Sequence, residues 1–191
     1  MNRLRRSSED HAIAPEAALK AAEKVWQEAR RKGVAAAIAG GLAMQIYGFT
    51  RATRDVDMVA SETLDLEAGK KIDFGGEIYR LEVEGKEIEV DWIVRADDKK
   101  PVYDAALENA EMTEYGIPII SPDWMVLLKY LAGRGKDEMD LMWLLREPGL
   151  VDRNRVLEII EGLMGPAAFW AKQDMRSVFL EADFLDEKDR S

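Results

Sequence analysis

Two carboxylates, Asp55 and Asp57, stand one residue apart, downstream of a double glycine, Gly40-Gly41. A third aspartate, Asp91, follows in the apolar run Ile88-Glu89-Val90-Asp91-Trp92-Ile93-Val94. On a strand, side chains repeat with period two, so Asp55 and Asp57 would point to one side with stems roughly 6–7 Å apart. Like charges so placed repel unless a cation sits between them, and their hard oxygens suit Mg²⁺ or Mn²⁺ better than zinc. With no cysteine and a single histidine, the chain offers a metal little else.

Phosphoryl and nucleotidyl transfer need an aligned nucleophile and cations around the phosphorus more than covalent help from the protein. Three carboxylates can hold two divalent ions about 3.5–4 Å apart, with Asp55 and Asp57 sharing both and Asp91 on the ion nearer the nucleophile. Glycines at 40 and 41 would let backbone amides approach triphosphate oxygens at the start of a helix. Taken singly, each feature has a plainer reading: an Asp-x-Asp on a surface strand, a turn glycine pair, a polar strand face. His11 lies in the N-terminal stretch and is given no catalytic part.

The elements that must position these residues read as α+β. Apolar residues from Pro15 to Lys32 recur at helical spacing and end at Gly33. Val34 to Ala39 reads as a buried strand and Leu42 to Tyr47 as a short helix, so the double glycine lies between them. Arg54 to Val59 reads as a strand with Val56 and Met58 opposite the aspartates. Glu77–Val83 and Lys86–Val94 alternate around Glu84-Gly85 as a hairpin that carries Asp91. Tyr103 to Glu111 reads as a helix, and Ile117 to Ile120 as an edge strand because it contains Pro118. Ser121-Pro122-Asp123 opens a helix with Ser121 as its cap, and Asp137–Arg146, Asp152–Leu163 and Pro166–Asp183 supply three more. The expected layout is an arm over 1–14, a core with a small mixed sheet flanked by helices over 15–120, and a C-terminal helical lobe over 121–191.

Hydrophobic residues make up 47% and charged residues 34% of the 191, which suits a folded chain. The net charge of −10 argues against broad nucleic-acid binding, so a phosphate-bearing substrate must meet a local basic patch or bound metal. The basic start with Arg3, Arg5 and Arg6 reads as a solvated tail. No run approaches the roughly 18 apolar residues of a membrane span, and no signal segment is evident, so a cytoplasmic protein with no membrane partner is expected.

The runs Ala39-Gly40-Gly41-Leu42-Ala43 and Arg51-Ala52-Thr53-Arg54-Asp55-Val56-Asp57-Met58 resemble the signature of the polymerase-β-type nucleotidyltransferase superfamily. The closer likeness is to its AbiEii-like branch, toxins of type IV toxin–antitoxin systems. Lys129 followed by Arg134-Gly135-Lys136-Asp137-Glu138-Met139-Asp140-Leu141 is similar to that branch's downstream helix with lysine and Arg-x-Lys-Asp. The likeness spans Val34 to Leu145. It implies a nucleotidyltransferase fold in which Gly40 and Gly41 hold a nucleoside triphosphate such as ATP. Asp55, Asp57 and Asp91 bind Mg²⁺ or Mn²⁺, and Lys129 contacts phosphate or acts in transfer. Arg51 and Arg54 are further cationic candidates for the nucleotide and Thr53 braces the loop before Asp55, while Asp137 and Asp140 cap and orient the Arg134–Lys136 turn. The implied reaction moves an NMP to a hydroxyl of RNA, tRNA included, or of protein and releases pyrophosphate; a cognate antitoxin is an implied partner. Where the superfamily usually has glycine-serine, this chain has Gly41. A non-catalytic binding or regulatory protein of the same fold, and a small-molecule transferase of the antibiotic-modifying kind, are the alternatives.

Overall fold

The chain is described by a computed structural model covering residues 12–64, 70–73 and 75–189. The N-terminal basic cluster and His11 lie outside the described residues, as do positions 65–69 and 74. Helix α1 (Pro15–Lys32) starts with proline in its first turn and ends at Gly33, whose φ of 74° closes the C-terminus. Its buried face is Ala17, Ala18, Ala21, Ala22, Val25 and Ala29. Those small side chains let α1 lie close across the sheet, where it meets β1 to β4.

The sheet is six-stranded and mixed, in the order β3-β4-β2-β1-β6-β5. Its members are β1 (Ala36–Ile38), β2 (Val56–Ala60), β3 (Gly76–Val83), β4 (Lys86–Ile93), β5 (Glu111–Met112) and β6 (Pro118–Ile119). Strands β3 and β4 turn through Glu84 and Gly85, both at positive φ (53° and 75°), as the twist-matched two-residue hairpin turn requires. Strand β4 then runs parallel to β2, and β2 antiparallel to β1. The apolar alternation of β4 buries Ile88, Val90 and Trp92 while Glu89 and Asp91 face the other way.

Helix α2 is Gly40–Ile46, α3 Lys100–Glu108, α4 Pro122–Ala132, α5 Gly135–Arg146, α6 Arg153–Met164 and α7 Ala168–Asp189. Helices α4 to α7 pack together, with α5 and α6 against α4 and α7 against α5 and α6.

Several expectations need correction. Strand β6 is not an edge: β5 pairs outside it, and Ile120 rather than Pro118 donates to Ile38 O at 2.9 Å, so the proline leaves the β1 contact intact. The helix expected from Tyr103 begins at Lys100, with Pro101 in its first turn. Ser121 occupies the N-cap position of α4 without bonding through its side chain. Asp123 instead accepts from the Asp152 backbone at 2.8 Å, tying α4 to the start of α6. There Asp152 does cap, accepting from the backbone of Asn154 and Arg155.

Candidate active site

The geometry starts from strand register. In the parallel ladder of β2 and β4, Asp57 stands directly opposite Asp91. Neighbouring parallel strands lie about 4.8 Å apart, which brings the two carboxyl stems side by side. Asp55 is not on the strand: β2 begins at Val56, and Asp55 sits in the bend before it. The ladder's period therefore does not set its direction. Thr53 does, its hydroxyl donating to the Asp55 backbone carbonyl at 2.9 Å and to Oδ1 at 3.3 Å.

Gly40 and Gly41 are not a free loop but the first turn of α2, packed onto this pair. Gly40 adopts φ +54°, and a Cβ there would lie 1.7 Å from Asp57 Oδ2. A Cβ on Gly41 would lie 2.5 Å from the Thr53 hydroxyl. Glycine is required at 40 twice over, for backbone conformation and for room. The Gly41 amide donates to Asp57 Oδ2 at 3.3 Å, and the Asp57 carbonyl accepts from Ala39 N at 2.9 Å.

No lysine or arginine among the described residues forms an ion pair with Asp57 or Asp91. Burial, then the Asp55 charge, push the Asp57 carboxyl above the usual carboxylate range. Asp91 is pushed up to about 6 by burial and then by the charges of Asp57 and Asp55. Crowded carboxylates with raised affinity for a proton are a donor set that a hard divalent cation relieves. Among the described residues, no group of three or more acidic, histidine or cysteine side chains is gathered tightly enough to hold an ion as it stands.

The three aspartates line a cavity of about 570 Å³. Its other wall is cationic, with Lys70, Lys71, Lys99, Arg134 and Lys136, in a chain whose net charge is −10. Tyr103 closes one side, with the Arg95 guanidinium 4.9 Å from its ring centre. A narrower recess of about 50 Å³ runs from Gly40 to Arg51 and Lys129. A larger cavity, of about 920 Å³, lies elsewhere, lined mainly by α5 and α7.

Lys129 is held more tightly than a free phosphate ligand would be. Only 6% exposed, its ammonium contacts Asp137 at 2.9 Å and Asp140 at 2.7 Å, both fully buried. Arg51 donates to both oxygens of Asp140, and Arg134 donates to Asp137 at 2.5 Å. Burial raises the Asp137 carboxyl, but hydrogen bonds from Arg134 and Lys129 outweigh it and leave it below the usual range. Helix α5 has no side-chain cap, so Asp137 and Asp140 do not cap the turn as expected. They are the anionic centre of a buried network, and Asp137 orients Arg134 from within it.

Sequence reasoning missed Tyr103 and the Lys70, Lys71 and Lys99 wall. The paired Lys70-Lys71 and Lys99-Lys100 were the available signal, though such pairs are usual on any surface. Among the described residues, no helix is long and apolar enough to cross a membrane.

The chain is similar to the crystal structure of an antigenic nucleotidyltransferase-like protein from Paracoccidioides brasiliensis, with a TM-score of 0.53 and 17% identity, over 88% of this chain and 94% of that one. It is more remotely similar to a tRNA-processing enzyme in an apo form, with a TM-score of 0.35 and 18% identity, over 93% of this chain and 60% of that one. No family model matches the chain, and no curated protein matches it. The first likeness, with the mixed sheet and the helices around it, shows that the fold is α+β and nucleotidyltransferase-like.

Proposed function

We propose that the chain is a nucleotidyltransferase that moves an NMP from an NTP to an acceptor hydroxyl and releases pyrophosphate. The observation that carries this is the Asp57–Asp91 pair, side by side on adjacent strands, roofed by a glycine turn and facing a cationic wall. Asp55, Asp57 and Asp91 would hold Mg²⁺ or Mn²⁺, which supplies charge neutralisation at the triphosphate and acidifies the attacking hydroxyl. The Gly40–Gly41 turn admits phosphate oxygens beside Asp57, with the start of α2 offering backbone N–H groups. Arg134 and Lys136 line the same cavity and suit the β- and γ-phosphates. Lys129 has two of its three protons on aspartates, so its part is to fix Arg51 and the α5 turn beside the recess and offer at most one bond to phosphate. The acceptor oxygen bonds to the α-phosphorus as the bond to the bridging oxygen breaks. Asp91, with its raised carboxyl, is placed to take the hydroxyl proton.

An RNA acceptor such as tRNA, or a protein hydroxyl, and a toxin role with a cognate antitoxin are the finer reading, supported by the likeness of Arg51–Met58 and Lys129–Leu141 to the toxin branch. Incubation with each labelled NTP, Mg²⁺ and total cellular RNA or protein tests both levels: label should enter one fraction and depend on metal. Asp57→Asn and Asp91→Asn should each abolish labelling while melting cooperatively, and full activity in either rejects the mechanism. The carboxylates' lack of a ready-made three-ligand arrangement favours one other reading, a binding protein of this fold. No rise in melting temperature with any NTP and Mg²⁺ would support it.

A further inference from the structure

Helix α5 carries two stripes. Asp137, Asp140, Leu141, Leu144 and Leu145 are buried within the chain. Met139, Met142, Trp143 and Arg146 recur at i, i+3, i+4 and i+7, so they share a neighbouring face, and all four line the cavity of about 920 Å³. Helix α7 adds Val178, Glu181 and Leu185 to the lining, again at helical spacing. Phe49 joins them from the loop between α2 and β2, its ring stacked on Trp143 with centres 4.8 Å apart. Met139 is 63% exposed. A concave, mainly apolar space of this size with a few polar groups is the usual form of a small-ligand site.

We propose that this cavity is a second ligand site, and that it takes an organic cation with an aromatic or aliphatic body. Charge selects the cation. Glu138, Glu147 and Glu181 line the cavity and are exposed, and none of their carboxylates has an ion-pair partner among the described residues. The cations that line it are already engaged, Arg146 with Asp186 and Asp189, and Lys129 with Asp137 and Asp140. Acidic groups around a low-dielectric cleft concentrate cations there and repel anions. The rings of Trp143 and Tyr130, which also lines the cavity, attract a cation through their faces and pack an apolar body equally well.

The same charge separates this cavity from the carboxylate site. A nucleotide or an RNA brings phosphates, which three unpaired carboxylates repel, and Asp55, Asp57 and Asp91 are not among the lining residues. The two spaces share Lys129, which lines both this cavity and the recess below Gly40. An occupant therefore rests against the wall of the recess without reaching the three aspartates. Its place is that of an effector and not of a donor or acceptor.

Dansylcadaverine, a fluorescent aromatic ring on a primary ammonium tail, is the probe, and dansylglycine, the same ring on a carboxylate, is its control. Titrated into the full chain at neutral pH and low salt, the ammonium probe should brighten, saturate and bind at least about tenfold more tightly than the carboxylate. Replacing Glu138, Glu147 and Glu181 together by Gln should remove that preference with unchanged circular dichroism, since all three are exposed. Met139→Lys, also at an exposed position, should weaken the ammonium probe as well. Saturating ATP with Mg²⁺ should leave the probe bound. Equal binding of the two probes, or affinity unchanged in both variants, overturns the proposal. Displacement by ATP would put the probe in the nucleotide's own space and overturns it too. So does a chain that sediments as a dimer and binds the probe only once dilution splits it, since a second copy then fills the cavity. Probe binding is read without nucleotidyl transfer, so its failure is distinguishable from failure of that reading.

Discussion

Arg51 and Asp140, separated by 89 residues in sequence, meet in a two-pronged ion pair, Nε to Oδ1 at 2.7 Å and Nη2 to Oδ2 at 2.9 Å. The pair joins the loop between α2 and β2 to helix α5. Because Asp140 also carries Lys129, one buried carboxylate fixes two cations on the wall of the recess below Gly40.

Removing that carboxylate should be expensive. Asp140→Ala leaves Lys129 buried with half its compensation and releases Arg51, and breaking a buried pair from one side typically costs about 3–5 kcal/mol. Urea unfolding should show a loss of that order, with Asp140→Asn milder because it can still accept hydrogen bonds. A loss below about 1 kcal/mol for the alanine variant would mean that water or rearrangement satisfies Lys129.

Gly40→Ala tests the roof over the aspartates. The added methyl would meet Asp57 Oδ2 at 1.7 Å on a backbone held at φ +54°, so either the carboxylate swings away or α2 shifts. Transfer should fall at least about 100-fold, in keeping with the sensitivity of aligned reactions to a displacement of roughly 1 Å. Gly48→Ala is the control: its φ is also positive, at +105°, but nothing lies within 4 Å of the added methyl. Its backbone strain should lower stability without the loss of transfer. Equal losses of transfer in both would show that backbone strain and not crowding at Asp57 is responsible.

The pairing of Asp57 with Asp91 has a sequence origin that can be traced. Val56 and Met58 are buried between which Asp57 must turn outward, and Val90 and Trp92 do the same for Asp91, so period-two alternation presents both on one face. The Glu84-Gly85 turn likewise declares the β3–β4 hairpin. Asp55 lies off the strand because a strand pattern says where alternation runs and not where the ladder begins; here a Thr53 bond holds a bend through Asp55, two residues past the expected start at Arg54. Strand β5 has only Glu111 and Met112, both exposed, and so offers no alternation to read. The Arg51–Asp140 and Lys129–Asp137 bonds arise from the packing of α4 and α5 beside the α2–β2 loop. Nothing local to either partner specifies them.

Metal affinity should depend on pH in a defined window. Burial and the charges of Asp57 and Asp55 push the Asp91 carboxyl up to about 6 from the ordinary 3.8, so below about 6 an incoming divalent ion must displace a proton. Mg²⁺ or Mn²⁺ affinity should rise as pH increases through about 6. Calorimetry in two buffers of different ionisation enthalpy should show proton release below that point. Affinity that is flat from pH 5 to 7 would show that Asp91 does not ligate.

The same raised carboxyls make a prediction about stability without metal. A group whose folded pKa lies above its unfolded value contributes stability that is present below the unfolded pKa and lost as pH rises through the folded one. Asp57 is such a group, raised by burial and by Asp55, so above the ordinary carboxylate range its tendency to ionise works against the fold. Asp57→Asn keeps the shape and an oxygen for the Gly41 amide while removing the charge. In chelator at pH 7 the variant should melt higher than wild type, with each kcal/mol gained raising the midpoint by about 2–4 °C for a chain of this size. Below the ordinary carboxylate range the difference should vanish, since Asp57 is then neutral in both. Adding Mg²⁺ should raise the wild-type midpoint and leave the variant's unchanged, reversing or narrowing the order at pH 7. A variant that melts lower than wild type in chelator would mean that the Asp57 charge is already compensated within the fold, and the site would then need no cation.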